Sequence, residues 1–116
     1  MEDTTFTAHV RKQPGTSIID LVGEIDAFAD EALHSAYSEA ASDNPLTIVL
    51  NFSEVSYINS TGIALIVSLL AKARIAKCRL VVYGLTEYYQ ELFDITSLSD
   101  FMAIYPDEVQ ALAGVH

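Results

Sequence analysis

The chain has 116 residues, 16 acidic side chains against 6 basic ones for a formal charge of −10, and 51% hydrophobic residues. That length suits one domain with a hydrophobic core of its own, here residues 1–116, and the apolar content is too high for a disordered acidic chain. The charge argues against nucleic acid or an anionic membrane as partner, because both are bound through Lys and Arg. The single cysteine, Cys78, excludes an internal disulfide framework and a cysteine-based zinc site.

Met1-Glu2-Asp3-Thr4-Thr5 is acidic where a secretory signal is basic and then apolar. The longest apolar stretch, Gly62 to Ala71 with Ser68 inside it, is short of the ~20 residues of a membrane span. A cytoplasmic protein is expected. Phe6 to Val10 suits an edge strand, Gln13-Pro14-Gly15-Thr16 a turn, and Ser17 to Ile25 a second strand, which together predict a hairpin. Phe28 to Ala41 keeps a rough three-to-four spacing of apolar residues and predicts a helix with Asp26 as N-cap and Asp30 and Glu31 in its first turn. Ser42-Asp43-Asn44-Pro45 ends it. Leu46 to Phe52 is a nearly continuous apolar run, as in a strand of a parallel sheet covered on both faces. Ser60 to Ile75 predicts a second helix, apolar almost all round and therefore heavily buried. Arg79 to Tyr83 is a strand closed by Gly84, Glu87 to Phe93 a short helix, Phe101 to Tyr105 a last strand. Pro106 then opens a terminal helix over Asp107 to Ala113, with Gly114 as its stop. The order β-β-α-β-α-β-α-(β)-α describes an α/β fold with a mixed central sheet of four to five strands and about four helices.

Enzyme signatures are missing. There is no Gly-x-Ser-x-Gly elbow, no glycine-rich nucleotide loop and no Cys-x-x-Cys. His9, His34 and His116 lie far apart, without metal-ligand spacing. Cys78 lies between Lys77 and Arg79, whose charge would favour a thiolate, but a half-buried residue at the start of a strand is the reading preferred here. No metal, cofactor or catalytic residue is expected.

The distinctive segment is Tyr57-Ile58-Asn59-Ser60-Thr61-Gly62-Ile63. Small polar residues there precede a glycine and a very apolar helix. Capping accounts for one of them. A hydroxyl at a helix N-terminus is also a favourable place for a phosphate, which free N–H groups and the positive end of the dipole stabilise. The glycine leaves room for a close approach of a partner.

Four motifs in order resemble the STAS-domain anti-sigma factor antagonists over nearly the whole chain. Leu21-Val22-Gly23-Glu24-Ile25-Asp26 resembles the family's Gly-Glu-[Leu/Ile]-Asp. Ile48 to Phe52 followed by Val55-Ser56-Tyr57-Ile58 resembles its central strand and approach loop. Asn59-Ser60-Thr61-Gly62-Ile63 resembles its phosphorylation motif, and Leu92 to Leu98 its late Leu-Phe-Asp segment. The resemblance implies a STAS fold and a non-enzymatic regulator that binds an anti-sigma factor serine kinase, so that a sigma factor is released. Phosphorylation would switch it off and a PP2C-type phosphatase would reset it. Carried over by position, the acceptor is Ser60, with Thr61 second, and the partner surface comprises Asp26, Tyr57, Ile58, Asn59, Ser60, Thr61, Gly62 and Ile63. Two positions depart from the pattern: Asn59 replaces the motif's Asp, and Ser97 stands where Gly is frequent. Asn59 leaves a second reading open, a non-switching STAS scaffold or accessory subunit of a stressosome-like or transporter assembly. The charge is also uneven. Four of the six basic residues, Lys72, Arg74, Lys77 and Arg79, follow the second helix or end it, and none lies between Leu80 and His116.

Overall fold

The computed structural model describes residues 6–114; the acidic opening and His116 lie outside them. Strands β1 (Thr7–Gln13) and β2 (Thr16–Ile25) form the expected hairpin. Pro14 and Gly15 make its turn, Gly15 at φ +74°. β1 extends beyond Val10, because Arg11, Lys12 and Gln13 pair across the turn although none is apolar.

A single 3-10 turn, Ala27–Ala29, leads into α1 (Asp30–Ala41). Asp26 therefore caps that turn rather than the helix itself: its carboxylate accepts the Phe28 N–H at 2.9 Å, while Ala29, at the N-cap of α1, offers no side-chain cap. Asp30 and Glu31 in the first turn of α1 face the positive end of its dipole.

Strand β3 runs Thr47–Ile58, well past the expected Phe52. Its second half, including the segment expected as an approach loop, pairs in parallel with Val22 to Ile25 through two register shifts, with Gly23 at φ +106° between them. Ser53-Glu54-Val55-Ser56 has no apolar alternation, so the length of its neighbour decides the pairing.

Helix α2 (Ser60–Ile75) and strand β4 (Arg79–Tyr83) have the expected boundaries. α2 closes through Lys77 at φ +59°, with the Cys78 N–H donating to the Ala73 carbonyl at 2.8 Å. Helix α3 (Glu87–Ile95) starts at the Thr86 cap and is followed by Ser97 at φ +65°. That left-handed backbone explains why glycine is favoured at this position. Strand β5 is only Ala103–Tyr105, and α4 (Glu108–Ala113) is capped by Asp107.

The sheet order is β1-β2-β3-β4-β5, with β1 antiparallel and the rest parallel. This is the mixed five-stranded sheet with four helices expected from the sequence. α1, α2 and α3 cover one face, where Leu33, Ile66, Leu69 and Phe93 pack on Leu21 and Leu50. The short α4 covers part of the other, through Ala111 over Ile18, Val49 and Val81. α4 is tied down by charge. Arg11 bridges Asp20 at 2.6 Å and Glu108 at 2.8 Å, and the Tyr83 hydroxyl donates to Glu108 at 2.7 Å.

The expected burial of α2 holds on one side only. Ile66, Leu69 and Ala73 are fully buried, but Val67 is 43% and Ile75 84% exposed, and Ala64 and Ala71 also face outward. No helix among the described residues is long and apolar enough to cross a membrane.

Candidate functional site

The register pairs Ile25 with Ile58, so β2 and β3 end side by side and deliver Asp26 and Asn59 to the same edge of the sheet. The Asn59 N–H donates to the Ile25 carbonyl at 3.2 Å. Its extended backbone (φ −95°, ψ −176°) and its Oδ1, which accepts the Gly62 N–H at 2.9 Å, make it the N-cap of α2. Asn performs here the capping an Asp would perform, without the charge. Ser60 is then the first helical residue, and Ser60 and Thr61 are both exposed.

The structure gives Gly62 a different task from the expected one. It is buried, and a side chain there would run into the Ile25 main chain, with a Cβ 2.8 Å from the Ile25 carbonyl carbon. The room seen in the sequence is thus filled by the end of β2, not by a partner. Ile58 is 4% exposed, and its N–H donates to the Tyr89 hydroxyl at 3.0 Å. Ile58 and Gly62 therefore build the site from inside and present no side chain to a partner. Tyr57, Ser60 and Thr61 are exposed; Asp26, Asn59 and Ile63 are partly so.

Residues from α3 complete the site: Leu92 opens the late motif without a site role assigned to it, and Tyr88 and Tyr89 lie outside the motifs. Tyr88, Tyr89 and Leu92 join Tyr57, Ser60 and Ile63 around a hollow of about 410 Å³. The signal in the sequence was the pair Tyr88-Tyr89 followed by Leu92, a spacing that sets two aromatic rings and a leucine near one helix face. Tyr88 and Tyr89 meet edge to face at 5.0 Å. On the other side of Asp26, Phe28 is 94% exposed.

Electrostatically the edge has two components. The N–H groups of Ser60 and Thr61 lie ahead of the first hydrogen bond of α2, at the positive end of its dipole. Around them the side-chain charges are acidic: Glu24 and Asp26 at the end of β2, Asp30 and Glu31 opening α1, Glu87 and Glu91 on α3. Chemically this is an accessible hydroxyl on a rigid helix start, beside an aromatic hollow.

The other candidate residues stand apart from it. His9 is exposed on β1. His34 bonds Asp30 through Nδ1 at 2.6 Å and the Ser68 hydroxyl through Nε2 at 3.3 Å, tying α1 to α2. Among the described residues no group of three His, Cys, Asp or Glu side chains is placed to hold a metal. Burial pushes the Cys78 thiol up, opposed by a smaller effect of its hydrogen bond at the Ile48 backbone, so the flanking cations do not make it a thiolate.

Comparison with known proteins bears on the family and the fold. A family model described as STAS domain matches residues 7–111. The anti-sigma-B factor antagonist of Listeria monocytogenes is 33% identical over 95 residues, covering 80% of this chain and 83% of the relative. The crystal structure of an anti-sigma factor antagonist from Mycobacterium paratuberculosis superposes with a TM-score of 0.84 at 24% identity, covering 98% of this chain and 97% of that one. The Bacillus cell fate determinant SpoIIAA in its phosphorylated form superposes with a TM-score of 0.72 at 23% identity, covering 97% of this chain and 100% of that one.

Proposed function

The chain belongs to the STAS domain family, and on that footing we propose that it is an anti-sigma factor antagonist, a cytoplasmic regulator that binds an anti-sigma factor serine kinase and is switched off by phosphorylation of Ser60. The observation that carries this reading is the position of Ser60: exposed, first in α2, and held against the ends of β2 and β3 through Asn59 and Gly62. The names of the relatives support the antagonist activity.

In the switch, the Ser60 Oγ takes the γ-phosphoryl group of ATP, its proton goes to a base of the kinase, and ADP leaves. The new group carries about −1.5 to −2 charges. In the free protein the N-terminus of α2 accommodates it. In the complex it would have to be desolvated against the hollow of Tyr57 and Ile63, at a cost of several kcal/mol if unpaired. Each ~1.4 kcal/mol is a tenfold loss of affinity, so release follows. A PP2C-type phosphatase hydrolyses the phosphate and restores binding.

The test is intact-mass analysis after incubation with ATP and each anti-sigma factor kinase encoded in the same genome. The expected result is one added phosphate, lost in Ser60→Ala and retained in Thr61→Ala, with Ser60→Ala holding the kinase and Ser60→Asp releasing it. Equal kinase binding by both Ser60 variants, or a phosphate at another residue, overturns the switch and leaves the scaffold reading that Asn59 keeps open.

A further inference from the structure

β2 to β5 are parallel, so α2 starts at their C-terminal edge and ends at the opposite one. That opposite edge carries a hollow of its own. β5 starts at Ala103, opposite Val81, so Arg79 and Leu80 at the start of β4 have β3 on one side and no strand on the other. The space left there is a hollow of about 460 Å³ between the end of α2, the start of β4 and the chain from Ser99 to Ala103. Small-molecule sites span about 300–1,000 Å³. Leu70, Leu80 and Met102 of the core reach its wall and give it an apolar floor.

Two guanidinium groups share this hollow. Arg74, in the last turn of α2, lies 4.8 Å over the Phe101 ring. Arg79, the first residue of β4, donates from Nη1 to the Gly114 carbonyl at 3.2 Å. Each is thus held in place by an uncharged group. Among the described residues the ion pairs are those of Arg11, Lys12 and His34. A guanidinium has five N–H donors in a fork that matches a carboxylate, so donors remain on both arginines. Of the residues lining the hollow, Asp100 alone carries a carboxylate. In a chain of charge −10, Lys72, Arg74, Lys77 and Arg79 make this edge the positive region. An anion is steered toward it and repelled elsewhere.

We propose that this hollow binds a small amphiphilic carboxylate, its head group on Arg74 and Arg79 and its apolar body on Leu70, Leu80 and Met102. Charge-assisted hydrogen bonds to the two guanidinium groups fix the head, and burial of the body supplies further affinity. Asp100 limits the negative charge the hollow accepts, so a monoanion fits better than a polyphosphate. Arg74 and Ser60 stand at opposite ends of α2, roughly 20 Å apart at ~1.5 Å per residue. The occupant therefore leaves Ser60 uncovered, and the site does not depend on the antagonist reading.

Cys78 lines the same hollow and is the single cysteine of the chain, so its reactivity reports occupancy. The test follows alkylation of Cys78 by iodoacetamide in the full chain, titrated with octanoate, octanamide or acetate. Octanoate should slow alkylation saturably. Octanamide, which lacks the charge, and acetate, which lacks the apolar body, should each need about tenfold or more higher concentration for the same protection. Arg74→Gln and Arg79→Gln, with thermal melts to show that each folds, should each weaken octanoate about tenfold. Lys72→Gln should leave it unchanged, because Lys72 lies in the same turn of α2 but over the Tyr37 ring of α1. If octanoate gives no protection, or octanamide protects equally, the site is overturned on the unaltered chain, whatever the variants do. If Lys72→Gln weakens octanoate as much as the arginine variants, the general charge of the edge acts and the assigned site is wrong.

Discussion

At Gly62 the backbone of α2 lies directly on the Ile25 carbonyl, which also accepts the Asn59 N–H. The absence of a side chain is what lets the helix start beside β2. Gly62→Ala sets two effects against each other. Alanine improves helix propensity by about 1 kcal/mol, while forcing a methyl into main chain that cannot move aside costs about 3 kcal/mol, the upper part of the overpacking range. The second wins, so Gly62→Ala should lower the unfolding free energy by a net ~2 kcal/mol, read as a lower urea midpoint at unchanged slope; a variant as stable as the wild type would refute the contact. Asn59 shows which part of the motif is structural. Its Oδ1 caps α2 as a carboxylate would, so replacing the family's Asp removes charge and keeps geometry. Both Asn59 as cap and Ser60 as the first helical residue are legible in sequence, because a cap and its N–H lie within one turn. The true neighbour of Gly62 is not, since Ile25 belongs to another strand.

Among the elements, β3 and α3 depend on each other. β3 pairs with β4 only as far as Asn51, opposite Tyr83, so its half beyond that has β2 on one side alone. Tyr89 of α3 meets the Ile58 N–H at the end of that half. Tyr89→Phe would leave this part-buried donor without its partner, at a cost of about 1 kcal/mol. The effect should be local: faster amide exchange at Ile58, with the core strands unchanged. Unaltered exchange at Ile58 would show that α3 does not support the strand end. The elements also show where sequence reading stops. The ends of α2 are readable from the Asn59 cap and the apolar run. Its burial is not, because that depends on how much of its circumference α1, the sheet and α3 cover. Likewise Ser53 to Ile58 carries no strand period and is a strand only because β2 lies beside it.

Across the whole molecule, the second sheet face is closed by charge rather than by a large core. Arg11 holds Asp20 and Glu108, and both carboxyls titrate below their ordinary range mainly through hydrogen bonds to Arg11, with Asn51 assisting at Asp20 and Tyr83 at Glu108. The Tyr83 hydroxyl is pushed up by burial and then by Glu108. Carboxyls with lowered pKa values bind fewer protons when folded than when unfolded. Their stabilisation is therefore complete above the unfolded values, about 3.9 for Asp and 4.3 for Glu, and is lost as pH falls below them through the lower folded values. Because the three side chains are partly exposed, solvent screens the contribution. Stability should decline from about pH 5 downward, and more shallowly in Arg11→Met, whose α4 amides should also exchange faster at neutral pH. Equal pH slopes for the two proteins would show that Arg11 is not the clamp.

The sequence by itself determined the alternation of strands and helices, the cap at Asn59 and the place of Ser60 at a helix start, because each depends on residues a few positions apart. It also recorded the clustering of cations after α2. Only the tertiary structure decided that Ile25 fills the space at Gly62, that Tyr88, Tyr89 and Leu92 stand beside Ser60, and that one apolar side of α2 stays open. These outcomes depend on which distant segments the parallel sheet brings to one edge, and contacts between segments about thirty residues apart leave no period in the chain.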